Sequence, residues 1–214
     1  MDALSGKLPE GWRQTRLHEI CEGIRTGPSG AILSPKNYVG EGVPLVRPSD
    51  IAHRRISGTH VSRIPEESAS RLARYRIRTG DVLCIRTGNP GKPALVTEEQ
   101  EGWVFSTHFL RLRPVQEVDP HYLVNYLDMP FAQRWIASRT TGSTTIRSIT
   151  ARAAGDLPVA LPPLAVQREI GTALRFLDEK IQVHLDIART TAHIRDSLSE
   201  LLLTGAQRLD DLGP

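Results

Sequence analysis

The sequence predicts an α+β fold: an irregular mixed-sheet domain over residues 1–161, one long helix over 162–205, and a short tail over 206–214. Three observations carry that expectation. From Leu164 to Gly205 no Pro interrupts the chain, and apolar residues recur there at steps of three and four. The residues before it break into short Val-, Leu- and Ile-rich runs separated by Gly, Pro, Asn and Asp, the pattern of strands and tight turns. Strands and helices are mixed without the regular rhythm of βαβ units, which points away from a parallel doubly wound sheet.

The elements read in order as follows. Leu8-Pro9-Glu10-Gly11-Trp12 is a turn, and Arg16-Leu17-His18-Glu19-Ile20 has a short helical pattern. Arg25 to Gly42 is rich in Gly, Ser and Pro and reads as an ordered loop. Val43-Pro44-Leu45-Val46-Arg47 is a strand, and Pro48-Ser49-Asp50-Ile51 turns out of it. Pro65 to Tyr75 reads as a helix. Arg78-Thr79-Gly80-Asp81 is a tight turn that feeds the β-rich run Val82 to Ile85. A second turn, Arg86 to Lys92, leads to the strand Pro93 to Val96. Gly102 to Arg113 alternates apolar and polar residues, as one strand or a pair. Pro120 to Ser138 places Leu123, Tyr126, Leu127, Phe131 and Trp135 at helical spacing. Arg139 to Arg147 is a polar loop, and Val159-Ala160-Leu161 is the last strand.

The final helix has consequences beyond its own residues. At 1.5 Å per residue it spans roughly 60 Å, about twice the diameter of a small domain. Its own domain cannot cover that length. The expected seam is Ile170, Leu174, Leu177, Ile181, His184, Ala188, Thr191, Ile194, Leu198 and Leu201. The step from Thr191 to Ile194 is three where the heptad wants four. His184 and Thr191 put polar groups mid-seam, where they cost stability and can fix register. Near Val166 and Ile170 the helix is expected to lie on its own domain. Beyond that it is expected to form an antiparallel coiled coil with a second chain.

Composition is that of an ordinary globular chain, 39% hydrophobic and 24% charged. No apolar run reaches the 18 or so residues that cross a bilayer, and the segment from Met1 has no apolar core of a signal peptide. Cys21 and Cys84 are far apart, with no CxxC spacing, so free thiols and a cytoplasmic location are expected. The net charge is +3, but up to Leu157 there are 21 Lys+Arg against 16 Asp+Glu, and from Pro158 onward 6 against 8. The basic excess therefore belongs to the first domain. Of the 27 basic residues 23 are Arg, which suits planar contacts to phosphate and guanine; a GC-rich coding sequence would give the same bias.

Four stretches together resemble the specificity subunit of Type I restriction-modification enzymes. They are Leu8 to Trp12, Val43 to Ile51, the two-turn segment Gly80 to Lys92, and the run from Thr141 through Leu157-Pro158-Val159-Ala160-Leu161-Pro162-Pro163 to Gln167-Arg168-Glu169-Ile170. The resemblance covers almost the whole chain, and the order of the four is more specific than any one of them. It implies a DNA target recognition domain followed by a long conserved helix. The family's usual chain carries two such domains and two such helices, packed as an antiparallel pair; this sequence shows one of each and resembles a half-size form. The resemblance thus implies a homodimer that reads a bipartite inverted repeat. It also implies adenine-methyltransferase partners, with or without a restriction subunit, in phage defence. S-adenosylmethionine, ATP and Mg²⁺ are expected on those partners, and none in this chain. A different class of reading is a coiled-coil assembly or regulatory module that does not read DNA.

The residues themselves offer no catalytic set. There is no glycine-rich nucleotide cradle, and Asn89-Pro90 is followed by Gly91-Lys92, not by the second Pro and aromatic of an adenine methylase. Asp178-Glu179-Lys180 lacks the spread of carboxylates of a nuclease metal site, and the seven His show no ligand spacing. Contacts to double-stranded DNA are better motivated. Arg86, Thr87, Asn89 and Lys92 lie on a turn between strands, where Arg can read guanine and Asn adenine, or where the turn is merely structural. Arg139, Ser143, Thr145 and Arg147 suit phosphate contact, or form a surface loop. Arg25 is similar, and Arg47 could reach DNA or a carboxylate such as Asp50. Trp12, Trp103 and Trp135 read as core rather than as stacking platforms.

Overall fold

Two short runs, the all-apolar Val82–Ile85 and the alternating Phe109–Pro114, build the centre of the molecule. The computed structural model describes residues 7–30, 33–58, 61–142 and 146–206. In chain order its strands are β1 (Arg13–Arg16), β2 (Cys21–Thr26), β3 (Val43–Val46), β4 (Ile51–Ala52), β5 (Arg55–Ile56), β6 (Ser62–Ile64), β7 (Val82–Ile85), β8 (Pro93–Leu95), β9 (Val104–Phe105), β10 (Phe109–Pro114), β11 (Thr141–Gly142), β12 (Arg147–Ser148) and β13 (Pro158–Leu161). Its helices are α1 (Glu66–Arg71), α2 (Pro120–Asp128), α3 (Pro130–Ser138), α4 (Ala151–Gly155) and α5 (Leu164–Leu203). The α+β expectation, mixed sheets and then one long helix, is met. The chain divides into two compact units, Met1–Thr172 and Ala173–Pro214.

In the first unit the main sheet is antiparallel, in the order β2-β10-β7-β8. Its two faces fill different cores. Val82, Cys84, Leu95 and Leu112 pack with Tyr122, Leu123, Tyr126 and Leu127 of α2 and with Val159 and Leu161 of β13. Leu83, Ile85, Ala94 and Phe109 point the other way and pack with Val46, Ile77 and Phe105. The second side is closed by the sheet β6-β3-β9, in which β3 pairs with β9 in parallel. β1 and β13 form a separate antiparallel pair, with Arg13 opposite Leu161.

Several local differences from the sequence reading have clear causes. The helical stretch Pro120 to Ser138 is two helices, because the missing N–H of Pro130 lets a new helix start there and ends the old one at Asp128. The Asp119 carboxylate caps α2 by accepting from the Tyr122 N–H at 2.8 Å. The stretch Pro65 to Tyr75 is α1 followed by a 3-10 turn, Ala73–Tyr75. Within Arg25 to Gly42 the first residues belong to β2. The loop Arg139 to Arg147 contains the hairpin of β11 and β12, and a Cβ on Gly142 would sit 2.2 Å from the Ile146 carbonyl oxygen, so that tight return demands glycine.

The run Pro162 to Ile170 is explained by one buried side chain. Gln167 is 1% exposed, and its amide oxygen and nitrogen both have hydrogen-bond partners within the first unit. Its Oε1 accepts from the Asp119 N–H at 2.9 Å, and its Nε2 donates to the carbonyls of Pro162 at 2.8 Å and Glu117 at 3.2 Å. One turn later a Cβ on Gly171 would lie 2.6 Å from Asp119 Oδ1. The first turns of α5 are thereby locked to the start of α2, and Ile170 packs against the same core.

The second unit is the rest of α5. Its polar surface is laced by local pairs such as Arg175–Glu179 at 3.4 Å and Arg189–Asp186 at 2.9 Å. Many of its large apolar side chains are exposed, namely Phe176, Leu177, Ile181, Val183, Ile187, Ile194, Leu201 and Leu203. On one uninterrupted α-helix these fall into two stripes. Leu174, Leu177, Ile181 and Ala188 share one. Phe176, Val183, Ile187, Ile194 and Leu201 share another, about a third of the circumference away. The short step at Thr191 is therefore a crossing from the first stripe to the second.

Candidate nucleic-acid interface

One end of the main sheet gathers the basic loops. Ile85 and Phe109 pair at that end, and Arg86 continues outward from β7. The turn from Arg86 to Lys92 is then zipped to the β11–β12 hairpin. Thr87 bridges Ser148, the Gly88 N–H donates to the Arg147 carbonyl at 2.9 Å, and the Ile149 N–H donates to the Arg86 carbonyl at 3.0 Å. Two segments some 55 residues apart in sequence thus form one surface. Asn89, Lys92 and Arg147 are exposed on it, and Thr87 is half-buried. Ser143 and Thr145 lie outside the described residues.

Arg86 is held differently from its neighbours. Its Nε donates to the Ile149 carbonyl and its Nη1 to the Thr107 carbonyl, each at 3.3 Å. The guanidinium ties the loop before β10 to the segment after β12, a structural task that its sequence position did not reveal. Arg139 is exposed at the end of α3, with its guanidinium 5.1 Å from the Trp135 ring centre. That pair borders an open cleft shared with Gln14, Arg16 and Asp156. Arg47 has its Nη2 3.7 Å from Asp50 Oδ1, the carboxylate option expected for it, and its Nε is buried without a hydrogen-bond partner.

Arg25 lies on β2 directly opposite Arg111 of β10. Arg111 and Arg113 were not foreseen as site residues, and they surround Asp81, which is 1% exposed. Arg113 grips Asp81 with two bonds of 2.7 Å, and the Arg78 N–H adds a third at 2.9 Å. The bond to Asp81 raises the Arg113 pKa, whereas burial and then the neighbouring Arg113 charge lower that of Arg111. A hint was present in the sequence: a carboxylate between Gly80 and an all-apolar strand must be buried, and so needs a cation.

Among the described residues no three His, Cys, Asp or Glu side chains gather as a metal site. Cys21 and Cys84 are free and buried, and burial pushes both thiols up to about 12. No helix among the described residues is long and apolar enough to cross a membrane.

Residues 9–188 match the family described as Type I restriction modification DNA specificity domain. A chain of Methanocaldococcus jannaschii assigned as the MjaX type I restriction enzyme specificity subunit is 28% identical, over 82% of this chain and 41% of its own length. The MjaVIII type I restriction enzyme specificity subunit of the same organism is 20% identical, over 97% of this chain and 49% of its own. The crystal structure of the HsdS subunit from Thermoanaerobacter tengcongensis superposes with a TM-score of 0.64 at 25% identity, over 96% of this chain and 51% of that one. The chain spans about half the length of the relatives it matches.

Proposed function

The chain belongs to the family of Type I restriction modification DNA specificity domains, and from that premise we propose that it reads DNA sequence for a multisubunit methylating enzyme without carrying out the chemistry itself. The observation that carries this reading is the zipped surface of the Arg86–Lys92 turn and the β11–β12 hairpin. Asn89 and Arg147 can reach base edges or phosphates there, and Lys92 supplies a cation beside them. A rigid sheet behind the loops supports such readers, because positions must hold to a fraction of an ångström for bidentate base contacts. The methylated adenine is flipped into a partner's pocket, and S-adenosylmethionine, ATP and Mg²⁺ belong to the partner subunits.

The two apolar stripes of α5 support assembly. The Leu174–Leu177–Ile181–Ala188 stripe packs in our reading on α5 of a second copy, antiparallel, so that two readers address a bipartite inverted repeat whose gap follows the helix length. The Phe176–Val183–Ile187–Ile194 stripe then faces a helix of the methyltransferase subunit. Such a complex works in the cytoplasm in phage defence, with or without a restriction subunit.

Selection from a random duplex library is the direct test. The full chain should enrich one bipartite motif, and Asn89→Ala should relax a single position of it at a cost of about 1–3 kcal/mol in discrimination. A library that emerges without any enriched motif would remove sequence reading from the account. For assembly, Ile181→Asp should abolish self-association in light scattering, and Ile187→Asp should abolish capture of the methyltransferase. Neither should change the chain's own stability by more than about 0.5 kcal/mol, since both positions are exposed. Monomeric wild-type chain at micromolar concentration would contradict the pairing.

A further inference from the structure

The edge of the main sheet beside Arg111 holds more positive charge than its carboxylates balance. Arg111 is 7% exposed and lies between Arg25 on β2 and Leu83 on β7. Its Nη1 donates to the Arg74 carbonyl at 3.4 Å, and Arg25 Nη1 donates to that same carbonyl at 3.2 Å. Two guanidinium groups thus converge on one backbone oxygen. The carboxylate within ion-pair reach of Arg111 is Asp81, but Arg113 already occupies both of its oxygens. Arg111 Nε remains 4.0 Å from Asp81 and has no hydrogen-bond partner. Arg74 adds a third cation, fixed over the Tyr75 ring at 4.8 Å and donating to the Tyr75 hydroxyl at 3.0 Å. Arg78 adds a fourth: its backbone N–H donates to Asp81 at 2.9 Å, and the Glu101 carboxylate, which accepts from the neighbouring Thr79, offsets part of the charge there. A crowd of guanidinium groups costs stability unless an anion offsets it.

The place of this cluster matters as much as its charge. Arg25 is followed by Thr26 and Gly27, and the Gly27 N–H donates to the Phe109 carbonyl, at the sheet end from which Arg86 departs. Along β10 the step from Phe109 to Arg111 is about 7 Å. The cluster therefore lies on the same sheet as the loop surface, two residues along β10 from the end at which Arg86 departs. Arg25, Arg74 and Arg78 are exposed.

We propose that Arg25, Arg74 and Arg78 form a second, sequence-independent contact of this chain with the phosphodiester backbone of duplex DNA, alongside the loop surface that reads bases. This rests on the DNA-reading function above and adds to it a division of labour: the loops specify, and the sheet edge anchors. The anion is a backbone phosphate, because the cluster is an open edge of several separated cations, which suits a line of charges more than one small ion.

The test is the salt dependence of binding to a 30-base-pair duplex of random sequence, with the full chain and fluorescence anisotropy between 50 and 300 mM KCl. Each lost phosphate contact should flatten the slope of log K against log salt by about 0.9. Arg25→Ala/Arg74→Ala should therefore lose about 1.8 from the slope, and Arg78→Ala about 0.9, with equal losses on random and selected duplexes. Arg78→Ala also serves should the double variant not fold. Arg71, exposed and paired with Glu67 at 2.6 Å on α1, is the control. Unchanged slopes in the Arg25, Arg74 and Arg78 variants would overturn the anchor and leave sequence reading standing. So would an equal fall in Arg71→Ala. A wild-type chain that binds no duplex at 50 mM salt would overturn both.

Discussion

Replacing Asp81 with Ala should be among the most damaging single changes in the first unit. Asp81 is 1% exposed, and it accepts two bonds from Arg113 and one from the Arg78 N–H. The variant strands the Arg113 guanidinium, 16% exposed at its side chain, and leaves Arg111 without its ion-pair partner. Breaking a buried pair from one side costs about 3–5 kcal/mol, because the remaining charge is left desolvated. In a chain of this size each kcal/mol lowers Tm by about 2–4 °C, so a fall of roughly 6–20 °C is expected. Urea unfolding should show a lower midpoint with an unchanged slope, the sign of a pure stability loss. The variant Asp81→Leu/Arg113→Met should recover part of that loss, since it removes both charges together. A loss below about 1 kcal/mol for Asp81→Ala would refute the argument, because surface pairs are worth that little.

Arg86→Ala should lower stability by about 1–2 kcal/mol, because both of its bonds to carbonyls are long at 3.3 Å; urea titration measures this directly. Gly171→Ala should cost about 1–3 kcal/mol, since the new methyl meets Asp119 Oδ1 at 2.6 Å and disturbs the α2 cap; a melt within error of wild type would show that the contact yields easily. Cys21 and Cys84, with thiols pushed up to about 12, should resist a thiol reagent at pH 8 until urea unfolds the chain. The same shifts favour the protonated folded form. Their contribution to stability is complete below pH 9 and is lost as pH climbs from 9 through about 12, which alkaline melts would follow.

The parts legible in the sequence were those set by local rules. The Pro-free helix, the Gly80-Asp81 turn, the apolar strand β7 and the alternating strand β10 follow from periodicity and turn chemistry alone. β1 was not legible: Arg13-Gln14-Thr15-Arg16 has no apolar alternation, and it becomes a strand only because β13, nearly 150 residues later, pairs with it. β2 was hidden for a similar reason, as an edge strand containing Gly23. In the candidate site, residue type could not separate Arg86 from Arg147. One meets backbone carbonyls and the other is exposed, a difference made by the zipping of two distant loops. The alternation over Gly102 to Arg113 did not single out the arginines of β10, whose carboxylate partner Asp81 comes from the turn before β7. The second stripe of α5 was not legible because a single heptad seam leaves Phe176, Val183 and Ile187 out, and only the continuous helix sets them on one line with Ile194.

Sequence reading on behalf of a methylating enzyme is tested most directly by mapping methylated adenines genome-wide in cells with and without the gene. The account predicts that deletion erases methylation at one bipartite, inverted-repeat motif and leaves every other methylated motif untouched, and that the restored gene brings the same motif back. A methylation map identical in both strains, with the methyltransferase present and active, would contradict it.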